Sequence, residues 1–176
     1  MLEAEAYKRG FEPDQEGNLA SGLAWPRVLD IFAGSGALGL EALSRGALHA
    51  DFVEQDLEAI RTIRANLQAT GFLDQSTLHQ QPFSTALAGI RGPIDAVFLD
   101  PPYQNSELLN AALDAIARSD FLTPSSVVIV EQRASATPQP AVGPLPLRRT
   151  RTHGQTMVTL YAQELPSRQE KDGEVN

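Results

Sequence analysis

The sequence predicts an α/β fold: a mostly parallel central sheet with helices on both faces and an antiparallel strand near the C-terminus. Two observations carry this. From Trp25 onward, short apolar strands alternate with amphipathic helical stretches. A glycine-rich turn, Gly34-Ser35-Gly36-Ala37-Leu38-Gly39, also sits where the first strand hands over to the first helix.

The first strand is Arg27-Val-Leu-Asp-Ile-Phe32, and Leu38, Ala42 and Leu43 mark one face of the helix behind it, which Gly46 ends. His49 to Val53 is the second strand. Asp56 is a suitable N-cap for a helix with Ile60, Ile63 and Leu67 in register, and Gly71 stands at its C-cap. A third strand falls at Thr77–Gln81, and a fourth at Ile94–Leu99, stopped by Asp100-Pro101-Pro102-Tyr103. Leu108, Leu109, Ala112, Leu113 and Ile116 share one face of the next helix. Ser126–Val130 reads as a fifth strand buried on both faces, 138–146 as a proline-rich loop, and Thr156–Tyr161 as an antiparallel edge strand. Residues 1–24 read as an irregular lead-in, 25–161 as one folded domain and 162–176 as a disordered polar tail.

A chain of 176 residues with 42% hydrophobic content is long enough for one sizeable core and short for two. It has no cysteine, and its three histidines are scattered, so neither a disulfide framework nor a metal site is expected. Its apolar runs fall well short of the roughly 20 residues that cross a bilayer, and MLEAEAYKRG lacks the apolar core of a signal peptide. A soluble, cytoplasmic monomer is the expectation. The net charge of −8 argues against non-specific coating of nucleic acid. Glu164, Arg168, Glu170, Lys171, Asp172 and Glu174 fall in the C-terminal tail, whereas Arg148, Arg149 and Arg151 form a basic cluster.

Glycines at the turn let a ligand approach the backbone, and Glu54, ending the second strand, can accept hydrogen bonds from a ribose diol. Both NAD and S-adenosyl-L-methionine carry that diol. Charge separates them. A pyrophosphate wants a helix N-terminus free of nearby carboxylates, but Asp30 stands four residues before the first glycine, at the strand end, and suits the cationic amino-acid end of S-adenosyl-L-methionine. Asp30 also fits a structural role, holding amides of the turn.

Asp100-Pro101-Pro102-Tyr103 falls at the carboxyl edge of the sheet, where ligands of such folds gather. Its prolines stiffen the turn, leaving the Asp100 carboxylate and the Pro101 carbonyl as paired acceptors for an exocyclic amine. Holding both N–H groups aims the nitrogen lone pair, and positioning of this kind lowers a barrier by about 7–11 kcal/mol. Tyr103 offers a face for a stacked base, worth roughly 1–3 kcal/mol.

With these motifs placed, the sequence resembles the RsmD-like family of small-subunit rRNA guanine-N2 methyltransferases. Val28-Leu-Asp-Ile-Phe-Ala-Gly-Ser-Gly-Ala-Leu-Gly-Leu-Glu-Ala-Leu-Ser-Arg-Gly-Ala47 is similar to its first motif, Phe52-Val-Glu-Gln-Asp56 to its second-strand acid and Val97-Phe-Leu-Asp-Pro-Pro-Tyr103 to its catalytic turn. Gly154-Gln-Thr-Met-Val-Thr-Leu-Tyr161 is similar to its closing strand. The resemblance implies a Rossmann-like class I methyltransferase. In it Asp30, the loop Phe32, Ala33, Gly34, Ser35 and Gly36, and Glu54 with Gln55 would hold S-adenosyl-L-methionine. Gln81 and Phe83 would stand by the adenine ring, and Asp100, Pro101, Pro102 and Tyr103 would hold the guanine amine. The implied partner is rRNA or a partly assembled small ribosomal subunit, and the resemblance puts Arg148, Arg149 and Arg151 near the catalytic edge as phosphate contacts. A solvated strand flank is the other reading of that cluster.

Two features depart from the family pattern. Gln81 stands where an acid or Asn is usual, and residues 1–26 show nothing like the family's basic opening segment and its Arg-Pro-Thr stretch. Either truncation or reduced RNA contact is expected there. Three other readings stay open: an adenine-N6 methyltransferase of DNA or RNA, which the same turn would serve; an NAD-dependent oxidoreductase, on the glycine spacing alone; and a non-catalytic binding module.

Overall fold

β1 (Arg27–Ile31) is an interior strand, buried on both faces from Val28 on, which is why Val28, Leu29 and Ile31 are apolar on either side. The structure is a computed structural model and describes residues 25–101 and 106–163. The elements after β1 are α1 (Ala37–Ser44), β2 (His49–Glu54), α2 (Leu57–Thr70), a 3-10 turn (Leu73–Gln75), β3 (Ser76–Gln80), α3 (Phe83–Gly89), β4 (Ile94–Leu99) and α4 (Ser106–Ala117). Four strands close the chain: β5 (Leu122–Arg133), β6 (Ala141–Val142), β7 (Leu145–His153) and β8 (Thr156–Ala162).

The sheet order is β3-β2-β1-β4-β5-β8-β7-β6. β1 pairs in parallel with both β2 and β4, so the chain reverses its direction of travel across the sheet between them. Loops after β1 and β4 then diverge and leave a crevice at the carboxyl edge, the usual ligand site of an open α/β sheet. One core packs under α1 and α2 around Phe52, Ile63 and Phe98; the other packs under α3 and α4 around Leu29, Val97 and Ile116. No helix among the described residues is long and apolar enough to cross a membrane.

The caps of α2 are as expected. Asp56 accepts from the Ala59 amide at 2.8 Å, and Gly71 takes the left-handed conformation, φ 78°. Elsewhere the structure corrects the expectations. α3 was not anticipated, because seven residues with two buried side chains carry too little period to read. β5 is much longer than Ser126–Val130. β6 and the start of β7 occupy much of the stretch read as a loop. β7 is exposed from Arg148 onward, so no apolar alternation announces it; pairing with β8 holds it in place. In consequence β8 is an interior strand, flanked by β5 and β7, and it runs one residue past the expected domain end, to Ala162. The lead-in 1–24 and the tail from 164 lie outside the described residues.

A polar network ties the first three strands together. Asp51 on β2 accepts from Arg27 Nε at 3.0 Å and pairs with His79 Nε2 at 2.8 Å. Burial alone would raise the Asp51 pKa, but the His79 hydrogen bond and the Arg27 charge outweigh it and hold the carboxyl below its ordinary 3.8. The stability this carboxylate contributes is therefore present above 3.8 and lost as pH falls below it. Asp51→Asn should cost about 2 kcal/mol near pH 7, the worth of hydrogen bonds to a charged group. Melts at successively lower pH should show the gap to wild type closing as the carboxyl protonates.

Candidate active site

The glycine turn is built by positive φ angles that few residues tolerate. Phe32 at φ 66°, Gly34 at 53° and Gly36 at 80° swing the chain off β1 and into α1. The Phe32 and Ala33 amides anchor the turn to the Val53 carbonyl, at 3.1 and 3.2 Å. Asn66, from α2, donates to the Ser35 carbonyl at 3.0 Å.

Two carboxylates then occupy turn and helix amides. Asp30 is buried and accepts from the Gly39 amide at 3.0 Å. Glu54 accepts from the Gly34 amide at 3.0 Å with one oxygen, and with the other from the Gln55 and Asp56 amides at 2.7 and 2.9 Å. These three backbone donors fix the Glu54 carboxyl at the end of β2 and leave its remaining lone pairs open to hydroxyl donors. Burial pushes the Asp30 carboxyl up from 3.8 to about 8; the Gly39 bond opposes this, and the charges of Asp100 and Glu54 add to it. In the fold Asp30 therefore keeps its proton between those values. Its contribution to stability is present at acid pH and lost as pH rises through about 8.

A cavity of about 590 Å³, a size typical of small-molecule sites, opens above this turn. The structure brings to it Asp30, Phe32, Ala33, Gly34 and Ser35 from the first motif, Glu54 and Gln55 from the end of β2, Gln81 and Phe83 from beyond β3, and Asp100 and Pro101 from the end of β4. Phe83 meets Phe32 edge-to-face at 5.5 Å. Gly36 is absent from this lining. A Cβ there would come within 3.3 Å of Ile63 and Phe52, so Gly36 serves the packing of the turn against α2 and β2. Pro102 and Tyr103 lie outside the described residues.

Sequence reasoning missed Ala37, Leu38, Val53, Pro82 and Leu108 on the cavity wall. Leu38 and Leu108 were visible as members of helical apolar faces, but periodicity does not say which member faces a ligand. The arginine cluster is divided and stands on β7, and none of its members lines the cavity. Arg148 falls at a register shift and gives its guanidinium to the carbonyls of Ala162 and Gln163, the former at 2.9 Å.

A sheet with this switch point, a glycine turn before α1, an acid closing β2 and Asp-Pro after β4 define the class I methyltransferase fold. The family model described as Conserved hypothetical protein 95 matches residues 17–162, and the chain belongs to this family. Ribosomal RNA small subunit methyltransferase D of Escherichia coli (strain K12) is 30% identical over 146 residues, 83% of this chain and 73% of that protein. YlbH of Bacillus subtilis (strain 168), named as a candidate rRNA methyltransferase, is 36% identical over 142 residues, 77% of this chain and 74% of the relative. Among solved structures, a conserved hypothetical protein of Streptococcus pyogenes is 33% identical with a TM-score of 0.73, over 78% of this chain and 86% of that one. The resemblance to the RsmD-like family is borne out.

Proposed function

We propose that the chain is an S-adenosyl-L-methionine-dependent methyltransferase of the cytoplasm that methylates the exocyclic N2 of a guanine in small-subunit rRNA. The observation that carries the cofactor is the charge of the cavity: Asp30, Glu54 and Asp100 all line it. The Gly34 and Gly39 amides, which a pyrophosphate would need, are held by Glu54 and Asp30. A dinucleotide meets Glu54 and Asp100 there, joined by Asp30 once it ionises; a ligand bearing a sulfonium and an ammonium meets complementary charge and favours that ionisation. Bound there, S-adenosyl-L-methionine supplies a methyl group already activated for transfer.

The chain's own part is positioning. Glu54 takes the ribose hydroxyls, Asp30 faces the ammonium, and the Phe32 and Phe83 rings flank the adenosine. Gln81 offers an amide to the adenine edge. Asp100 and the Pro101 carbonyl accept the two N–H bonds of the target amine, so that its lone pair points at the methyl carbon. Asp100 also takes the proton that the amine loses. The rRNA substrate follows from the relatives: the Escherichia coli protein is named for the small ribosomal subunit. It also agrees with the Asp-Pro-Pro-Tyr motif, which adenine N6 would fit equally well, so the base is decided by product analysis.

Calorimetric titration with S-adenosyl-L-methionine and with NAD tests the cofactor. Ionised Asp30 is the form that attracts the ammonium, so affinity should weaken as pH falls below about 8 and Asp30 takes up its proton. An affinity flat from pH 6 to 8 would remove Asp30 from the ammonium site, and tight NAD binding would overturn the reading.

A further inference from the structure

The three C-terminal strands present an outer face that the cavity chemistry does not use. Paired residues of neighbouring strands share a face, and the pairing fixes which side each cation takes. Arg149 pairs with Leu160 and Leu160 with Ile129; the latter two pack on the core beneath α1 and α2. Arg151 pairs with Val158, and His153 with Thr156, which pairs with Arg133 on β5. Arg149, Arg151, His153 and Arg133 therefore lie on one side of the sheet, and all four are exposed. Arg148 stands apart, at the register shift, its guanidinium on the carbonyls of Ala162 and Gln163.

This row leads to the catalytic edge. Leu99 pairs with Val130, so β5 continues past Asp100 and brings Arg133 to the same edge of the sheet. Two strands over, about 10 Å away, β7 extends the row, its alternate residues about 7 Å apart. That spacing is comparable to the separation of successive phosphates along a nucleic-acid strand. The one carboxylate on β5, β7 and β8 is Glu131, on the same face, buried and in register with Arg151 through Val158, so the row keeps an excess of cations. In a chain of net charge −8, a row of three arginines and a histidine facing solvent on one side of the sheet is a local reversal of sign.

We propose that this face of β5, β8 and β7 is the track on which the phosphate backbone of the substrate RNA lies, entering the catalytic edge at Arg133. The proposal rests on the RNA-methyltransferase reading above and assigns the RNA path to Arg149 and Arg151 rather than to the arginine cluster as a whole. Phosphate neutralisation releases counterions, so each contact contributes about 0.7–0.9 to the slope of log binding constant against log salt.

The test measures that slope on a small-subunit rRNA fragment for the full-length chain, the double variant Arg149→Ala/Arg151→Ala and the single variant Arg148→Ala. Affinity for S-adenosyl-L-methionine is measured on each. The double variant should flatten the slope by about 1.5 and weaken binding about tenfold or more at moderate salt, with cofactor affinity unchanged. Arg148→Ala should keep the wild-type slope and lose thermal stability, since its guanidinium ties β7 to the end of β8. An unchanged slope in the double variant, with wild type methylating the RNA, overturns the track and leaves the function standing. Equal flattening in Arg148→Ala also overturns it, because the face would then not matter. A wild type that binds no RNA overturns both readings. Binding only to an assembled subunit, with no salt-dependent attraction to naked RNA, would assign the face to an acidic protein instead.

Discussion

Asp100→Ala should lower the rate of methyl transfer on the order of a hundredfold or more while the protein folds and binds cofactor. The loss is one of aim. Without the carboxylate the target amine keeps a single acceptor, and misplacement on the ångström scale at a reacting atom costs about that much. Single-turnover kinetics with saturating cofactor isolate the effect from binding. A second signature follows from the cavity's electrostatics. The charge of Asp100 is one of those that disfavour ionisation of Asp30; with it gone, the pH midpoint for cofactor binding should move down from about 8. A merely structural residue would not move that midpoint. If cofactor affinity collapsed with the rate, Asp100 would belong to the cofactor site alone.

Gly39→Ala should be among the most destabilising single-methyl changes in the chain. A Cβ at Gly39 would stand 2.3 Å from Cε1 and 2.6 Å from Cζ of Phe52, a ring with no solvent exposure. Neither α1 nor the ring has room to yield, because Phe52 is packed in the core beneath the two helices that cover β2, where even a Cβ at Gly36 would come within 3.3 Å of it. Overpacking of this kind costs about 3 kcal/mol, or a fall in Tm of about 6–12 °C for a chain of this size. Phe52→Leu, itself destabilising, should recover part of that loss in the double variant, since the clash and the ring are one interaction. Additive losses would show that the helix, and not the ring, carries the strain.

The parallel half of the sheet was legible because its signals are local. Strand, glycine turn, helix cap and acid follow one another within 27–71, and each element's chemistry agrees with the next. The C-terminal half was not, because β7 owes its place to a partner strand rather than to an apolar face, and proline at 144 and 146 argues locally for a loop. The same difference divides the site. Asp30, Glu54 and Asp100 stand at strand ends where topology alone brings them together. That Glu54 is pinned by three amides depends on how the chain turns after β2, and that Gly36 packs inward depends on Ile63, 27 positions away in the chain and invisible to motif matching. The arginines show the limit most clearly. Three cations in four residues look like one patch, and only the register shift at Arg148 separates the one that holds the backbone of the next strand's end from the two that share a face with Arg133.

The central claim is that this cavity methylates a guanine amine of small-subunit rRNA, and nucleoside analysis tests it most directly. Purified protein is incubated with S-adenosyl-L-methionine bearing an isotopically labelled methyl group and with partly assembled small subunits lacking the modification; the RNA is then digested to nucleosides and resolved by mass spectrometry. Label in N2-methylguanosine, at close to one per RNA and abolished by Asp100→Ala, is the predicted result. Label in N6-methyladenosine, or RNA left unlabelled by a protein that binds the cofactor, would contradict it.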